Sequence, residues 1–197
     1  MAHRSRRDLI CETALDLAAE GGNHALTHQG IDARLGLARG STSYYYRTRH
    51  ALVAAAIAHL TRRSSEQFLD AVPPVPPKTS QEAASFIAAS LGTLLAARRR
   101  DVLARYALVA DAAADDELRE GLASCLFSLP AATELMDALG ADDPAVAARN
   151  LISLLEGLVF DYACGARSLD SDAASGGVTQ MLWAPISRWI DALVASR

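Results

Sequence analysis

The sequence predicts an all-α protein of about nine helices, a short three-helix unit followed by a longer helical domain. Three observations carry this. Alanine, leucine and arginine, all strong helix formers, dominate, and β-branched residues are scattered. Apolar residues recur at spacings of three and four, with no sustained strand-like alternation. Glycines, prolines and capping residues punctuate the chain at intervals of about one helix.

The elements follow in order. A first helix is expected over residues 5–20, with Ile10, Ala14, Leu17 and Ala18 on one face and Gly21-Gly22-Asn23 as its stop. Thr27 is placed to cap a second helix reaching residue 34, with Ile31 and Leu35 inward and Gly36 at the turn. A short third helix takes residues 39–45. A fourth runs over 49–70 on a stripe of Leu52, Ala55, Ala56, His59 and Leu60. Pro73, Pro74, Pro76 and Pro77 exclude helix from 72–78, which reads as a stiff connector. Thr79 and Glu82 open a fifth helix to about residue 98, and Arg98-Arg99-Arg100 reads as a solvated corner. The sixth spans 101–113, and the seventh runs from Asp115 or Asp116 toward Leu139 with an interruption near Pro130. Asp143-Pro144 starts the eighth, lined by Leu151, Leu154, Leu155, Leu158 and Tyr162 and ended by Gly165. Residues 169–177 read as a loop. The last helix, 179–195, carries Leu182, Ile186, Trp189, Ile190 and Leu193, with Pro185 either a kink or a delayed start.

Composition narrows the function. A hydrophobic fraction of 51% with 21% charged residues excludes general disorder. The longest charge-free apolar run, 83–97, is 15 residues, short of the roughly 18 to 20 that cross a bilayer, so no membrane association is expected. Asp8, Glu12 and Asp16 interrupt any leader-like apolar core, and Cys11, Cys125 and Cys164 lie far apart, as reduced thiols of a cytoplasmic protein would. The net charge of −4 is uneven: residues 1–63 hold nine arginines against five acids, a local +4, and all five histidines. The remainder carries −8. A basic front on an acidic body points to a polyanion met by the front alone.

Two short helices around a tight turn within 27–46 have the layout of a helix-turn-helix, whose second member offers its side chains to the major groove. Arg39-Gly40-Ser41-Thr42-Ser43-Tyr44-Tyr45-Tyr46 supplies a cation for guanine or phosphate, small hydroxyls for close approach, and phenols that donate to phosphate. Arg47 and Arg49 follow as cations for the backbone. Tyr46 reads as a staple among the helices, and Tyr44 and Tyr45 as DNA-facing. Leu26-Thr27-His28-Gln29-Gly30-Ile31, then Gly36-Leu37-Ala38-Arg39-Gly40-Ser41-Thr42-Ser43-Tyr44-Tyr45-Tyr46, then Arg49-His50-Ala51-Leu52, resemble the tetracycline-repressor-like (TetR) family of bacterial regulators. The motif covers residues 5–55. Ala38 stands where the family usually has a capping serine, Ser43 where a phosphate-binding tyrosine is common, and Arg47 where proline is frequent.

The resemblance implies a helix-turn-helix domain over 1–48 and an effector-binding and dimerisation domain over 49–197. It implies a homodimer on palindromic double-stranded operator DNA, usually as a repressor released by a small hydrophobic effector. The DNA-facing residues are then Thr27, His28, Gln29, Arg39, Gly40, Ser41, Thr42, Tyr44, Tyr45 and Arg49, with Arg49 on a phosphate. Effector candidates are Phe86, Tyr106, Leu122, Leu126 and Phe127. Dimer candidates are Leu151, Leu154, Leu158, Tyr162, Ile186, Trp189, Ile190 and Leu193, because those stripes are too apolar to face water. His24 and His28 have a metal-ligand spacing but no carboxylate or thiol to match, and no nucleophile elbow or phosphate-cradling loop occurs, so neither metal, cofactor nor catalysis is expected. The alternative is a helical carrier of an apolar small molecule that does not bind DNA.

Overall fold

The computed structural model describes residues 5–73, 75–169 and 177–195. Among them lie ten α-helices: α1 Arg6–Gly21, α2 His28–Arg34, α3 Ser41–Tyr45, α4 Arg49–Ala71, α5 Ser80–Ala96, α6 Arg99–Ala112, α7 Asp116–Ala123, α8 Leu129–Ala138, α9 Pro144–Ala163 and α10 Val178–Val194. Short 3-10 turns at Asn23–Ala25 and Ala166–Leu169 complete the described elements.

Local chemistry sets most of the ends. Ser5 and Asp8 form a reciprocal capping box on α1, Thr27 caps α2, Thr79 caps α5, and Asp143 caps α9 with Pro144 behind it. Three expectations are corrected. The single interrupted seventh helix is two helices, because Ser128 caps a new one with Pro130 in its first turn. Pro185 neither delays nor starts the last helix: α10 begins at Val178 and carries the proline inside. The arginine triplet is no solvated corner. Arg99 donates to the Ala163 carbonyl at 3.0 Å, and Arg100 is paired with Glu12, Asp16 and Asp101. The expected loop begins at Leu169, inside the second 3-10 turn, and its residues 170–176 lie outside the described residues, as does Pro74 of the connector.

The chain packs as two compact units, 1–69 with 100–126, and 70–99 with 127–197. In the first, Ile10 and Leu15 of α1, Leu26, Ile31 of α2, Leu52 and Leu60 of α4, and Leu108 of α6 are fully buried around one core. Each such side chain stabilises the fold by about 1.5 to 3 kcal/mol. Beside that core Glu12 of α1 is a hub. Its carboxylate accepts from His59 Nε2 at 2.6 Å, Arg63 at 2.7 Å and Arg100 at 2.5 Å, joining α1 to α4 and α6. Burial pushes the Glu12 carboxyl up, but His59 and the two arginines outweigh it and hold it below the usual carboxylate range. In the second unit α10 packs along α5, and α8 along α9. The α5–α10 crossing is close at Gly92, where a Cβ would meet the Thr179 hydroxyl at 2.3 Å.

Candidate nucleic-acid interface

Everything in α2, the turn and α3 serves to present a five-residue helix. Thr27 Oγ1 accepts from the Gly30 amide at 3.0 Å and starts α2. Gly40, at φ 92, takes a left-handed conformation that side-chain-bearing residues avoid, so α3 begins at Ser41 rather than at Arg39 as the sequence predicts. The absent serine cap at Ala38 is replaced from a neighbouring helix. The buried Asp32 carboxylate of α2 accepts from the Gly40 amide at 2.8 Å, the Thr42 amide at 2.8 Å and the Thr42 hydroxyl at 2.7 Å. Burial raises the Asp32 carboxyl, but these three bonds and nearby His28 prevail and leave it below its ordinary value. Ser41 Oγ donates to the Ala38 carbonyl at 2.6 Å, closing the same turn.

The far end is held by Tyr46, which is buried. Its hydroxyl lies 3.5 Å from Cys11 Sγ, and its carbonyl accepts from His28 Nε2 at 2.7 Å, which fixes the protonated nitrogen of that ring. Burial first, and then the Cys11 thiol, push the Tyr46 phenol up to about 12, and burial likewise raises the thiol. Tyr46 is therefore the staple that the sequence predicts. Tyr44 is 83% exposed, standing edge-on to Tyr45 with ring centres 5.3 Å apart, and Tyr45 is half-buried against the core.

The DNA-facing candidates therefore separate. Thr27, Gln29, Arg39, Gly40 and Tyr44 are exposed, with Ser43 and Arg47 beside them; His28, Ser41 and Tyr45 are half-buried. Thr42 is fully buried with its hydroxyl on Asp32 and stands under the surface rather than on it. Arg49 is exposed but engaged: it forks onto Asp111 with both bonds at 3.0 Å and donates to the carbonyls of Leu26 and, at 2.8 Å, Asn23. Arg34, Arg62 and Arg63 are also in ion pairs, with Glu20, Asp8 and Glu12. These three pairs use acids of the same segment, so its +4 excess remains, and exposed Arg39 and Arg47 bracket the face of α3. Asp32 is what sequence reading missed, because a carboxylate eight and ten residues before its partners follows no helical period.

The effector candidates divide between the two units. Tyr106, Leu122 and Leu126 belong to the first unit, and Phe86 and Phe127 to the second. Leu122 is core, and Arg105 stacks over the Tyr106 ring at 5.5 Å. Of the dimer candidates, Leu151, Tyr162, Ile186 and Ile190 are buried in the second unit's own core, so they are not available to a partner. Leu154, Leu158 and Leu193 are half-buried and Trp189 is exposed. The sequence reading passed over exposed Val146, Phe160, Met181 and Trp183 on the same two helices. Among the described residues no helix is long and apolar enough to cross a membrane, and no His/Cys/Asp/Glu group is arranged to hold a metal.

A model of the tetracyclin repressor-like C-terminal domain matches residues 78–184, more than half of the chain. No curated protein matches significantly. Among solved structures, a transcriptional regulator from Rhodococcus sp. Rha1 shares the fold at a TM-score of 0.78 and 19% identity, covering 96% of both chains. A TetR-family member from Streptomyces coelicolor A3 gives 0.70 at 22% identity, over 94% of this chain and 98% of its own. The multidrug binding protein EbrR, solved with malachite green, gives 0.69 at 20% identity, over 94% and 98%. With the family's C-terminal domain matched in sequence and a helix-turn-helix built at its front, this chain belongs to the tetracycline-repressor-like family of transcriptional regulators.

Proposed function

We propose that the chain is a non-enzymatic cytoplasmic repressor that binds palindromic operator DNA as a homodimer and leaves it when a small hydrophobic effector binds. Residues 1–48 meet the DNA, and 49–197 take the effector and the partner. The observation that carries the reading is the α3 face. Ser43 and Tyr44 on α3, and Arg39 just before it, are exposed, while the start of the helix is held from below by Asp32 through the Gly40 and Thr42 amides. A groove reader needs that combination of a rigid base and an uncommitted polar face. Each copy presents one such helix, and two copies read half-sites about 34 to 36 Å apart, one turn of DNA.

Dimerisation falls to the exposed residues of α9 and α10, with Phe160, Trp183 and Trp189 as the large apolar contacts. The effector reading is supported by the fold shared with EbrR, which was solved holding malachite green. An effector that favours a state with mismatched recognition helices releases the operator through that differential affinity alone. The test is binding to a duplex carrying the DNA immediately upstream of the protein's own gene. Retention at moderate salt against excess random DNA, and loss with Arg39→Ala or Tyr44→Ala, is the expected result.

A further inference from the structure

We propose that Arg49 is a positioning residue that fastens the helix-turn-helix to α6 through Asp111, and that it does not serve as a phosphate ligand. The proposal rests on the operator-binding reading above. A guanidinium has five N–H donors in a planar fork. In Arg49 the Nε and Nη2 edge is taken by the two Asp111 oxygens at 3.0 Å, Nη2 also reaches the Asn23 carbonyl at 2.8 Å, and Nη1 donates to the Leu26 carbonyl. Four of the five donors are thus taken, and Asp111 occupies the Nε–Nη2 edge, one of the two on which a guanidinium grips phosphate bidentately.

Three separate segments of the first unit meet at this cation: the 3-10 turn that leads into α2, the first residue of α4, and the end of α6. Leu26 is fully buried and directly precedes Thr27, the cap of α2; α2 in turn holds α3 through Asp32. Polar contacts at both ends, joined by the backbone from Leu26 through α2, therefore connect Asp111 to the start of the recognition helix. A second pair, His50 Nε2 to Asp115 at 2.7 Å, lies one residue along and ties α4 to the cap of α7. Without Arg49, the Asp111 carboxylate would face two carbonyl oxygens and repel them.

The two roles predict opposite results for Asp111→Asn, a near-isosteric change. If Arg49 were a phosphate ligand, removing its competitor would leave DNA binding equal or tighter. If Arg49 is a clasp, affinity for the upstream duplex falls about tenfold or more, with folding intact by circular dichroism. Arg49→Lys keeps the charge but not the fork, so the clasp predicts the same loss, and the double variant should be little worse than either single one. The slope of log affinity against log salt should match that of the wild type, because no phosphate contact is lost. Full affinity in Asp111→Asn, or a salt slope reduced by about one in Arg49→Lys or Arg49→Ala, would overturn the proposal. Amide hydrogen exchange at residues 26–31 decides independently of DNA: faster exchange in Asp111→Asn is expected, and unchanged exchange refutes the clasp. A wild-type protein that binds no duplex sinks the operator reading alone, and the exchange result still judges the clasp.

Discussion

Replacing Asp32 with alanine should damage the recognition helix more than any surface change to it. The carboxylate is buried and accepts three bonds, from the amides of Gly40 and Thr42 and from the Thr42 hydroxyl. Gly40 is exposed, so water can replace its partner, but the Thr42 groups are sealed. Leaving a buried donor unsatisfied costs about 1 to 3 kcal/mol, and two such donors set the loss for Asp32→Ala at about 2 to 6 kcal/mol. Asp32→Asn keeps one oxygen for Thr42 but turns an N–H toward another N–H or loses it, for about 1 to 3 kcal/mol. Thr42→Val removes one donor and leaves the amides held, at about 1 kcal/mol. Urea denaturation followed by far-UV circular dichroism gives the order, and operator affinity should fall in the same order. The pH dependence has a fixed sign. The folded carboxyl lies below its ordinary value of 3.8, so its stabilisation is complete above that value and is lost as pH falls through the lower, folded one. The Asn variant should lack that acid limb. A cost below 1 kcal/mol for Asp32→Ala, or full operator affinity in a folded Asp32→Ala protein, would refute the reasoning.

Glu12→Ala removes the shared acceptor of His59, Arg63 and Arg100, which keep Asp8, Asp16 and Asp101 as partners, and should cost about 1 to 3 kcal/mol, read from the denaturation midpoint. Tyr44→Ala should leave the melting temperature unchanged, since the ring is solvent-facing, while operator affinity falls about tenfold. Ile190→Asp buries a charge in the second unit's core and should cost more than about 4 kcal/mol. Trp189→Asp, two-fifths exposed at 41%, should leave each copy folded but sediment as a monomer.

Helix existence was legible because apolar period, caps and breakers agree along the chain. Thr27, Thr79 and Asp143 announce their helices locally, and the structure uses each. What stayed hidden depends on partners distant in sequence. Nothing in the neighbourhood of Asp32 marks it as the cap of another helix. Nothing near Arg49 marks Asp111, 62 residues away, as its ion-pair partner. An apolar stripe also cannot say which neighbour it faces. The eighth and ninth predicted helices each have one rich face, and the structure gives Leu151, Tyr162, Ile186 and Ile190 to the core, leaving Phe160, Trp183 and Trp189 outside. Charge asymmetry was informative in sum and misleading residue by residue, since Arg34, Arg62 and Arg63 are paired at home.

The most direct test of the account is selection of genomic DNA fragments by the purified protein, followed by footprinting of what is retained. The account predicts one protected palindrome, bound by two copies, with half-site centres about 34 to 36 Å apart. Arg39→Ala should relax preference at a single symmetric base position. Retention of fragments in proportion to their length, without a shared sequence or a footprint, would contradict it.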